Sequence, residues 1–380
     1  MKNNEVKKNM QELEMKKSGL STRILTEPQE ILQHLHKGIS IPILPKFHTY
    51  ILGDITSYGA EALVLEEDFD NAYFGKKTDT IVGITLLYND GSDTLFFGFF
   101  GVYDHDPEKI DFLIERVLEY GKEKGYTSIR GPINVPTMIF GWGFMVQGCK
   151  KDLFIGSPIN PPIYQEIFFQ KGFEVLFQED RYDMAALKMD PHKDRKLIGM
   201  GINNGNHKED SFDTGDYPYI YINPGKEGMM QCKDEYVALN RDFMPPSAQI
   251  TPKAGHYFDN LVDFVHTHGA DWMMWIVRHK ETNRMVASGY VIPDPFSHNK
   301  KGEINSISFH AWVVHPEHRR KYLAMLMYGM TSLKGKDRKT SHYITKGSWP
   351  VGAENIANGN AAKKMGGKKD RSHLILEYHF

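Results

Sequence analysis

One stretch of the chain, residues 304–330, constrains the fold more than any other. It begins with an apolar run rich in strand-forming residues, which ends at His315 and Pro316. A basic turn follows, and then an apolar helical segment; the turn consists of Arg319, Arg320, Lys321, Tyr322, Leu323 and Ala324. A strand, a turn and a helix N-terminus in this order aim backbone N–H groups at one point, which suits a phosphate. The stretch therefore predicts an anion-binding strand–turn–helix unit.

This stretch resembles the GNAT superfamily of acyl-CoA-dependent N-acyltransferases. Members of that superfamily carry V-x-P-x-x-[R/Q]-x-x-G-x-[G/A] between the fourth strand and the third helix, where the turn binds the pyrophosphate of coenzyme A. Val314, Pro316, Arg319 and Ala324 match this pattern, whereas Tyr322 stands where the pattern has its first glycine. Glycine suits that position because it tolerates unusual φ angles and lets the backbone approach a ligand. The resemblance implies acetyl-CoA or another acyl-CoA as co-substrate.

The same resemblance implies a set of site residues. The pantetheine arm would lie along a bulge at Trp312, Val313 and Val314. The pyrophosphate would lie on the turn from Arg319 to Ala324, and Asn355 matches the start of the last family motif. That motif also places a tyrosine four residues before a glycine as the acid for the leaving thiolate, but Ala362 stands there. Tyr343, on the strand before, is the candidate substitute.

Three residues are candidates for the base that accepts the proton of the amine. The family position for a carboxylate on the fourth strand falls on Ser308, which is a poor base. His310 lies two residues further on and therefore faces the same side of the strand. A histidine has an intrinsic pKa suited to accepting a proton near neutrality. Glu303, near the start of the strand, is the third candidate.

The first half of the chain has the same order of predicted elements but lacks the basic turn. Its predicted long helix spans residues 107–124. Asp104 and Asp106 precede this helix, and Glu108 lies in its first turn. Carboxylates at that point would repel a pyrophosphate. The first half also resembles a bacterial group of tandem GNAT proteins in several phrases: FGFF at 97–100, RGP at 130–132, GWGF at 141–144 and NPPIY at 160–164. This resemblance implies a degenerate first GNAT unit that does not bind coenzyme A in the usual manner.

Composition excludes several other classes. A formal net charge of −2 is not that of a general nucleic-acid binder, so no nucleic-acid partner is expected. No segment approaches the ~20 apolar residues that cross a membrane, so no membrane insertion is expected. The pairs His34/His36 and His266/His268 lack the surrounding ligands of a zinc site, so no metal site is predicted. With two distant cysteines, the chain is expected in a reducing cytoplasm.

The sequence therefore predicts an α+β protein, three-layered with mixed sheets, built from two tandem GNAT-like domains. The expected parts are a polar tail at 1–20, a degenerate domain at 21–190, a polar linker at 191–216 and an acyltransferase domain at 217–380. The predicted partner is a small-molecule or peptide amine that accepts the acyl group by direct attack in a ternary complex. Two alternatives stay open: a Fem-type transferase that uses aminoacyl-tRNA, and a binding protein that kept the fold without catalysis. The sequence leaves the oligomeric state open.

Overall fold

The chain divides into two compact units in a computed structural model. The structure describes residues 19–71, 76–147, 153–184, 190–200, 207–208, 210–243, 256–337 and 344–380. Unit 1 consists of Met1–Cys149, Pro158–Leu176 and Leu374–Phe380, and unit 2 of Lys150–Ser157 and Phe177–His373. Both units contain a mixed sheet with helices, which confirms the predicted α+β class. Among the described residues, no helix is both long and apolar enough to cross a membrane.

The sheet of unit 1 is mostly antiparallel. Its strands are β1 (Leu20–Leu25), β2 (Glu61–Asn71), β3 (Lys76–Tyr88), β4 (Thr94–Val102), β5 (Ser128–Gly131) and β6 (Phe144–Gln147). β1 to β4 pair antiparallel in sequence order, and β4 pairs parallel with β5. Parallel neighbours need a crossover, and the long helix α3 described below supplies it.

The helices of unit 1 are α1 (Pro28–His34), α2 (His48–Tyr58), α3 (Pro107–Lys124), α4 (Thr137–Phe140) and α5 (Ile163–Gln170). α3 begins as the sequence predicts: the Asp106 carboxylate accepts a hydrogen bond from the Glu108 N–H at 2.8 Å, and Pro107 occupies the first turn. Its apolar residues at helical spacing, among them Ile110, Leu113 and Val117, are buried against the sheet in a core rich in phenylalanine. This face fixes α3 to the sheet.

The sheet of unit 2 repeats the plan with more strands. In chain order these are β7 (Glu174–Met184, within unit 2 from Phe177), β8 (His207–Lys208), β9 (Ser211–Asp213), β10 (Tyr219–Ile222), β11 (Met274–His279), β12 (Met285–Pro293), β13 (Ser306–Val314), β14 (Lys346–Gly352) and β15 (Lys368–His379, within unit 2 as far as His373). β8 to β13 pair antiparallel in sequence order, and β13 pairs parallel with β14.

Helices cover both faces of this sheet. They are α6 (Arg195–Gly199), α7 (Gly225–Gln231), α8 (Lys233–Phe243), α9 (His256–His268), α10 (Leu323–Asp337) and α11 (Ile356–Lys364). Tyr236 of α8 packs on Tyr290 of β12, and Tyr328 of α10 packs on Phe309 of β13. Tyr290 pairs with the residue after Phe309 and so lies on the opposite face. Unit 2 therefore has the three layers that the sequence predicts.

Two strands are exchanged relative to the domain boundaries expected from sequence. The expected bounds, 21–190 and 217–380, assign the strand at 174–184 to the first domain and the C-terminal strand to the second. Instead β7 pairs with β14 through residues 179–184, and the chain end pairs with β5 through residues 376–379. Each unit thus completes its sheet with a strand from the other half of the sequence. The local sequence pattern predicts a strand but does not encode which strand it pairs with.

The segment expected as a linker, residues 191–216, contains regular structure in its described parts. α6 begins after Asp194, whose carboxylate accepts hydrogen bonds from two N–H groups of the first turn. Leu197, Met200 and Phe212 are buried. The prediction of a linker rested on the overall polar composition. It overlooked these few apolar residues, which anchor a short helix and a strand.

Candidate active site

The centre of the candidate site is a bulge in β13. His310 pairs with Tyr290 of β12 and Val313 with Ser288, so Ala311 and Trp312 stand opposite the single residue Gly289. A side chain at position 289 would lie 3.1 Å from the Trp312 ring, so glycine leaves the room that the indole needs. A bulge re-aims backbone groups out of the ladder, which is why such sites often line functional clefts.

An aromatic cluster holds the bulge in place. The Trp312 ring lies 5.1 Å from that of Trp349, 5.6 Å from that of Phe309 and 5.6 Å from that of Trp275. The Trp312 indole N–H also donates to the Tyr290 carbonyl oxygen at 3.0 Å. The side chain of Trp312 is therefore a structural anchor, and the predicted contact with a pantetheine arm is left to the main chain of the bulge.

Beyond Ser308, β13 loses its neighbour on one side. The parallel ladder joins only residues 306–308 to residues 346–348, although both strands continue, β13 to Val314 and β14 to Gly352. In the described part of the chain, no other segment hydrogen-bonds to the main chain of Phe309 to Val313 on the β14 side. The two parallel strands thus part at the bulge and leave strand-edge N–H and C=O groups available to a ligand.

The turn after β13 has the backbone conformation that the missing glycine would provide. Arg320 has a φ of 63° and Tyr322 a φ of 67°, both in the left-handed region. Tyr322 is tied down by its side chain, since its hydroxyl donates to the Asp194 carboxylate at 2.8 Å. The ammonium of Lys196 lies 4.9 Å from the centre of its ring. Burial and Asp194 raise the pKa of Tyr322 to about 12. Tyr322 therefore has the left-handed φ that a glycine adopts readily, and its side-chain contacts hold it there.

The three cations of the turn differ in what they contact. The Arg319 guanidinium donates to the Val314 and Phe243 carbonyl oxygens, both at 3.1 Å, and so fastens the turn to the strand and to α8. Arg320 and Lys321 are exposed and make no hydrogen bond or ion pair with the described residues. Leu323 is buried under the first turn of α10, and Ala324 follows it. Two free cations therefore flank the N–H groups at the start of α10.

Ser308 and His310 are together, as predicted, on the face of β13 opposite Trp312. The Ser308 hydroxyl lies 3.0 Å from Nε2 of His310, and both residues are buried. Burial, with a smaller effect of the Arg181 guanidinium, lowers the pKa of His310 to about 3. The imidazole is therefore neutral at pH 7 and is a hydrogen-bond acceptor rather than a strong base.

Glu303 and Asn355, two further residues predicted for the site, have structural partners of their own. Glu303 is exposed in the turn before β13, where its carboxylate accepts from the Asn299 amide at 2.7 Å. Tyr343 lies outside the described residues. Asn355 caps α11, with its side chain accepting from the Asn358 N–H at 3.1 Å. Of the proposed catalytic residues that the structure describes, Ser308 and His310 are thus brought together and Glu303 is not.

A tyrosine that the sequence analysis did not consider reaches the last helix. Ala362, at the family tyrosine position, is fully buried. The Tyr182 hydroxyl lies against α11 one turn earlier, 3.3 Å from where a side chain on Gly359 would begin. Tyr182 is on β7 beside Trp349 of β14. Sequence spacing could not reveal it, because β7 joins unit 2 from the other half of the chain.

Histidines gather at the start of the turn. Ligand atoms of His315, Glu317 and His318 lie within 4.8 Å of one another, a grouping that the sequence analysis did not consider. Nδ1 of His318 lies 3.1 Å from the Tyr219 hydroxyl, and burial lowers the pKa of His315 and of His318. Both rings are therefore neutral near pH 7.

Unit 1 has a corresponding bulged strand, but its edge is occupied. In β4, Phe99 and Phe100 stand opposite Thr85, and the parallel ladder to β5 again has three pairs. Here the Phe99 N–H donates to the Asn134 side chain at 2.6 Å and the Ile133 N–H donates to the Phe97 carbonyl oxygen at 2.7 Å. The Val102 N–H donates to the Tyr164 hydroxyl at 3.0 Å. The chain itself therefore fills the place that is open in unit 2.

Two mixed sheets, each with a bulged strand that parts from its parallel neighbour, form a tandem fold that is also found in solved GNAT structures. A tandem GNAT protein from the clavulanic acid biosynthesis pathway is 13% identical, with a TM-score of 0.56 over 95% of this chain and 98% of that one. A GCN5-related glucosamine N-acetyltransferase region of a fungal multi-domain enzyme is 14% identical, with a TM-score of 0.58 over 95% of this chain and 38% of that one. A GCN5-related N-acetyltransferase from Sphaerobacter thermophilus is 7% identical, with a TM-score of 0.50 over 95% of each chain.

At these identities the likeness shows the fold. No family model matches the sequence, and no curated protein matches it. The chain thus has the tandem GNAT fold, as its motifs predicted.

Proposed function

We propose that unit 2 binds an acyl-CoA, acetyl-CoA in the first instance, and transfers its acyl group to an amine. The observation that carries this proposal is the difference between the two bulged strands. The edge of β4 is filled by Asn134, Ile133 and Tyr164, whereas in the described residues the edge of β13 is open and runs into a left-handed basic turn. The names of the solved structures with this fold support the same activity.

The residues of unit 2 suit a diphosphate and an amide-rich arm. Arg320, Lys321 and the first N–H groups of α10 would hold the pyrophosphate, with Arg319 keeping the turn against the strand. The main chain from Phe309 to Val314 would pair with the pantetheine arm. When bound, the co-substrate supplies the acyl group as a thioester. A backbone N–H of the bulge would then stabilise negative charge on the carbonyl oxygen.

Ser308 and His310 would hold the acceptor amine. The amine has to arrive neutral, form the new C–N bond at the carbonyl carbon and lose a proton, while the C–S bond breaks and the thiolate takes up a proton. With a pKa of about 3, His310 accepts a hydrogen bond but does not keep the proton, which passes to water. We therefore assign His310 and Ser308 a positioning role.

Ligand binding to the unaltered protein tests the proposal. Thermal unfolding is followed with acetyl-CoA, a longer acyl-CoA, free coenzyme A and, as a control, ATP. A ligand that binds only the folded state stabilises it by ~2.7 kcal/mol at a concentration a hundredfold above its Kd. We expect stabilisation by the three coenzyme A species and release of thiol when amines are added with acetyl-CoA. No shift with any of the three would refute the assignment.

A further inference from the structure

Unit 2 contains a buried arginine whose two terminal nitrogen atoms have no hydrogen-bond partner among the described residues. Arg371, on β15, is 1% exposed. Its Nε donates to the Asp370 carboxylate at 2.7 Å, and its guanidinium carbon lies 5.3 Å from the centre of the Phe154 ring. Both Nη atoms are buried and without a hydrogen bond to the described residues. Because arginine cannot lose its charge in a protein, these N–H groups are left unsatisfied unless something else binds them.

The geometry of this edge indicates the chemistry of its ligand. Asp370 occupies the Nε side of the guanidinium, and the Phe154 ring lies against the guanidinium. The two Nη atoms form the end of the fork, which matches the two oxygens of a carboxylate in a bidentate pair. Asp370 already neutralises the charge of Arg371. A carboxylate ligand would therefore be the second carboxylate that this guanidinium binds.

Arg371 lies on the same face of the sheet as His310. The Ser372 hydroxyl donates to the Asp180 carboxylate at 2.9 Å, which places these two side chains on one face. Since side chains alternate along a strand, Arg371 and Arg181 share the opposite face. Arg181 pairs with Pro350 of β14, two residues beyond the Ser348–Ser308 pair, and so stands level with His310. The Arg181 guanidinium lies close enough to His310 to contribute to the lowering of the pKa of His310.

One short turn covers both arginines. The Arg181 guanidinium donates to the Gly156 carbonyl oxygen and pairs with Glu179 at 2.9 Å, while Arg371 lies over Phe154 of the same turn. Residues 154–157 are all buried. A row on one face of the sheet therefore runs from Ser308 and His310, beside the open edge of β13, to the fork of Arg371.

We propose that the acceptor is an amine that also carries a carboxylate, such as a free amino acid, and that Arg371 binds this carboxylate. This inference rests on the proposed acyl transfer. The acceptor would lie along the row, with its amine at Ser308 and His310 and its carboxylate on the two Nη atoms. The reaction balances as thioester plus amine giving amide plus thiol, with the amine proton passing to water and a proton from water reaching the thiolate.

Paired acceptors that differ only in the carboxylate test the inference. Transfer from acetyl-CoA is measured with lysine and cadaverine, tyrosine and tyramine, and histidine and histamine. Loss of a charge-assisted bidentate pair predicts a kcat/KM lower by at least about tenfold for at least one decarboxylated partner. Thermal shifts with the matching N-acetyl products, in the presence of coenzyme A, read out the same preference without turnover. Equal results for every pair in both measurements would overturn the inference.

Substitution of Arg371 assigns the preference to this side chain. Arg371→Met should raise the KM of the carboxylate-bearing acceptor at least about tenfold and leave the KM of acetyl-CoA unchanged, and Arg371→Lys should lie between. Arg278→Met removes a guanidinium that is ion-paired with Glu235 and should change neither KM. If Arg371→Met unfolds, the paired acceptors on the unaltered protein still decide. Binding of acetyl-CoA with no carboxylate preference refutes only this inference, whereas no coenzyme A binding refutes the proposed function.

Discussion

β4 of unit 1 and β13 of unit 2 are equivalent bulged strands, but their exposed edges differ. Each is a bulged strand that pairs parallel with the next strand for three residues and then leaves it. In unit 1 a side-chain amide, a backbone N–H and a tyrosine hydroxyl take up the released groups, and carboxylates follow the strand. In unit 2 the released groups face no described segment, and free cations follow the strand. This difference is the basis of our proposal that the bulge of unit 2 binds a ligand, whereas that of unit 1 is closed by the chain itself.

Charge reversal at the turn should give the largest effect. Replacing Arg320 and Lys321 together by Glu puts two negative charges where we expect a pyrophosphate, and we expect the Kd of acetyl-CoA, measured by calorimetry, to rise more than about a hundredfold. Lys300→Glu with Lys301→Glu is the matched control, since both lysines are exposed in another loop of the same unit. Equal affinity in the two double variants would remove the turn from the site.

Removal of the His310 ring should slow the reaction without loosening the co-substrate. His310→Ala takes away a buried acceptor 3.0 Å from Ser308, and we expect kcat to fall about 10- to 100-fold at unchanged Kd for acetyl-CoA. Stopped-flow thiol detection and calorimetry measure the two quantities. Full turnover in His310→Ala would exclude the residue from the reaction.

Opening the edge of unit 1 should affect stability alone. Asn134→Ala leaves the buried Phe99 N–H without its acceptor, and we expect the free energy of unfolding to fall by about 1–3 kcal/mol. Urea denaturation measures the fall, and kcat/KM at a temperature well below unfolding should stay unchanged. A rise in the KM of acetyl-CoA would show that unit 1 takes part in binding.

The dependence of kcat/KM on pH should show no step from His310. Its pKa of about 3 lies below the ordinary histidine value, so the ring is unprotonated throughout pH 5–9 and its charge does not change there. The rate should instead rise with pH until the acceptor amine is neutral. A step between pH 6 and 7 that disappears in His310→Ala would mean that the imidazole gains and loses a proton during the reaction.

Removal of one oxygen at the turn should give the smallest effect. Tyr322→Phe loses the hydrogen bond to Asp194 but keeps the ring beside Lys196, and we expect a loss of about 0.5–1.5 kcal/mol in the free energy of unfolding, measured by urea denaturation. Acetyl-CoA affinity should stay within about twofold, because the left-handed backbone is retained. A large loss of affinity would show that the hydroxyl shapes the phosphate site directly.

The sequence by itself determined the local parts of this protein. The apolar run and basic turn at 304–330 encode β13 and the start of α10, and Asp106 and Pro107 encode the start of α3, because strand pattern, caps and turns depend on neighbouring residues. Phrases in both halves also identified the tandem GNAT fold. The pairing of Ser308 with His310 could be expected, since residues two apart on a strand share a face.

Only the tertiary structure decided which strand completes which sheet. The exchange brought Tyr182 to α11 and Arg181 to the row of His310, although more than a hundred residues of chain separate them. The tertiary structure also decided that His310 is neutral, because burial lowers the pKa of its ring and local sequence does not encode burial. The same holds for the two bulges: residues distant in sequence close the edge of β4, and in the described chain none closes that of β13.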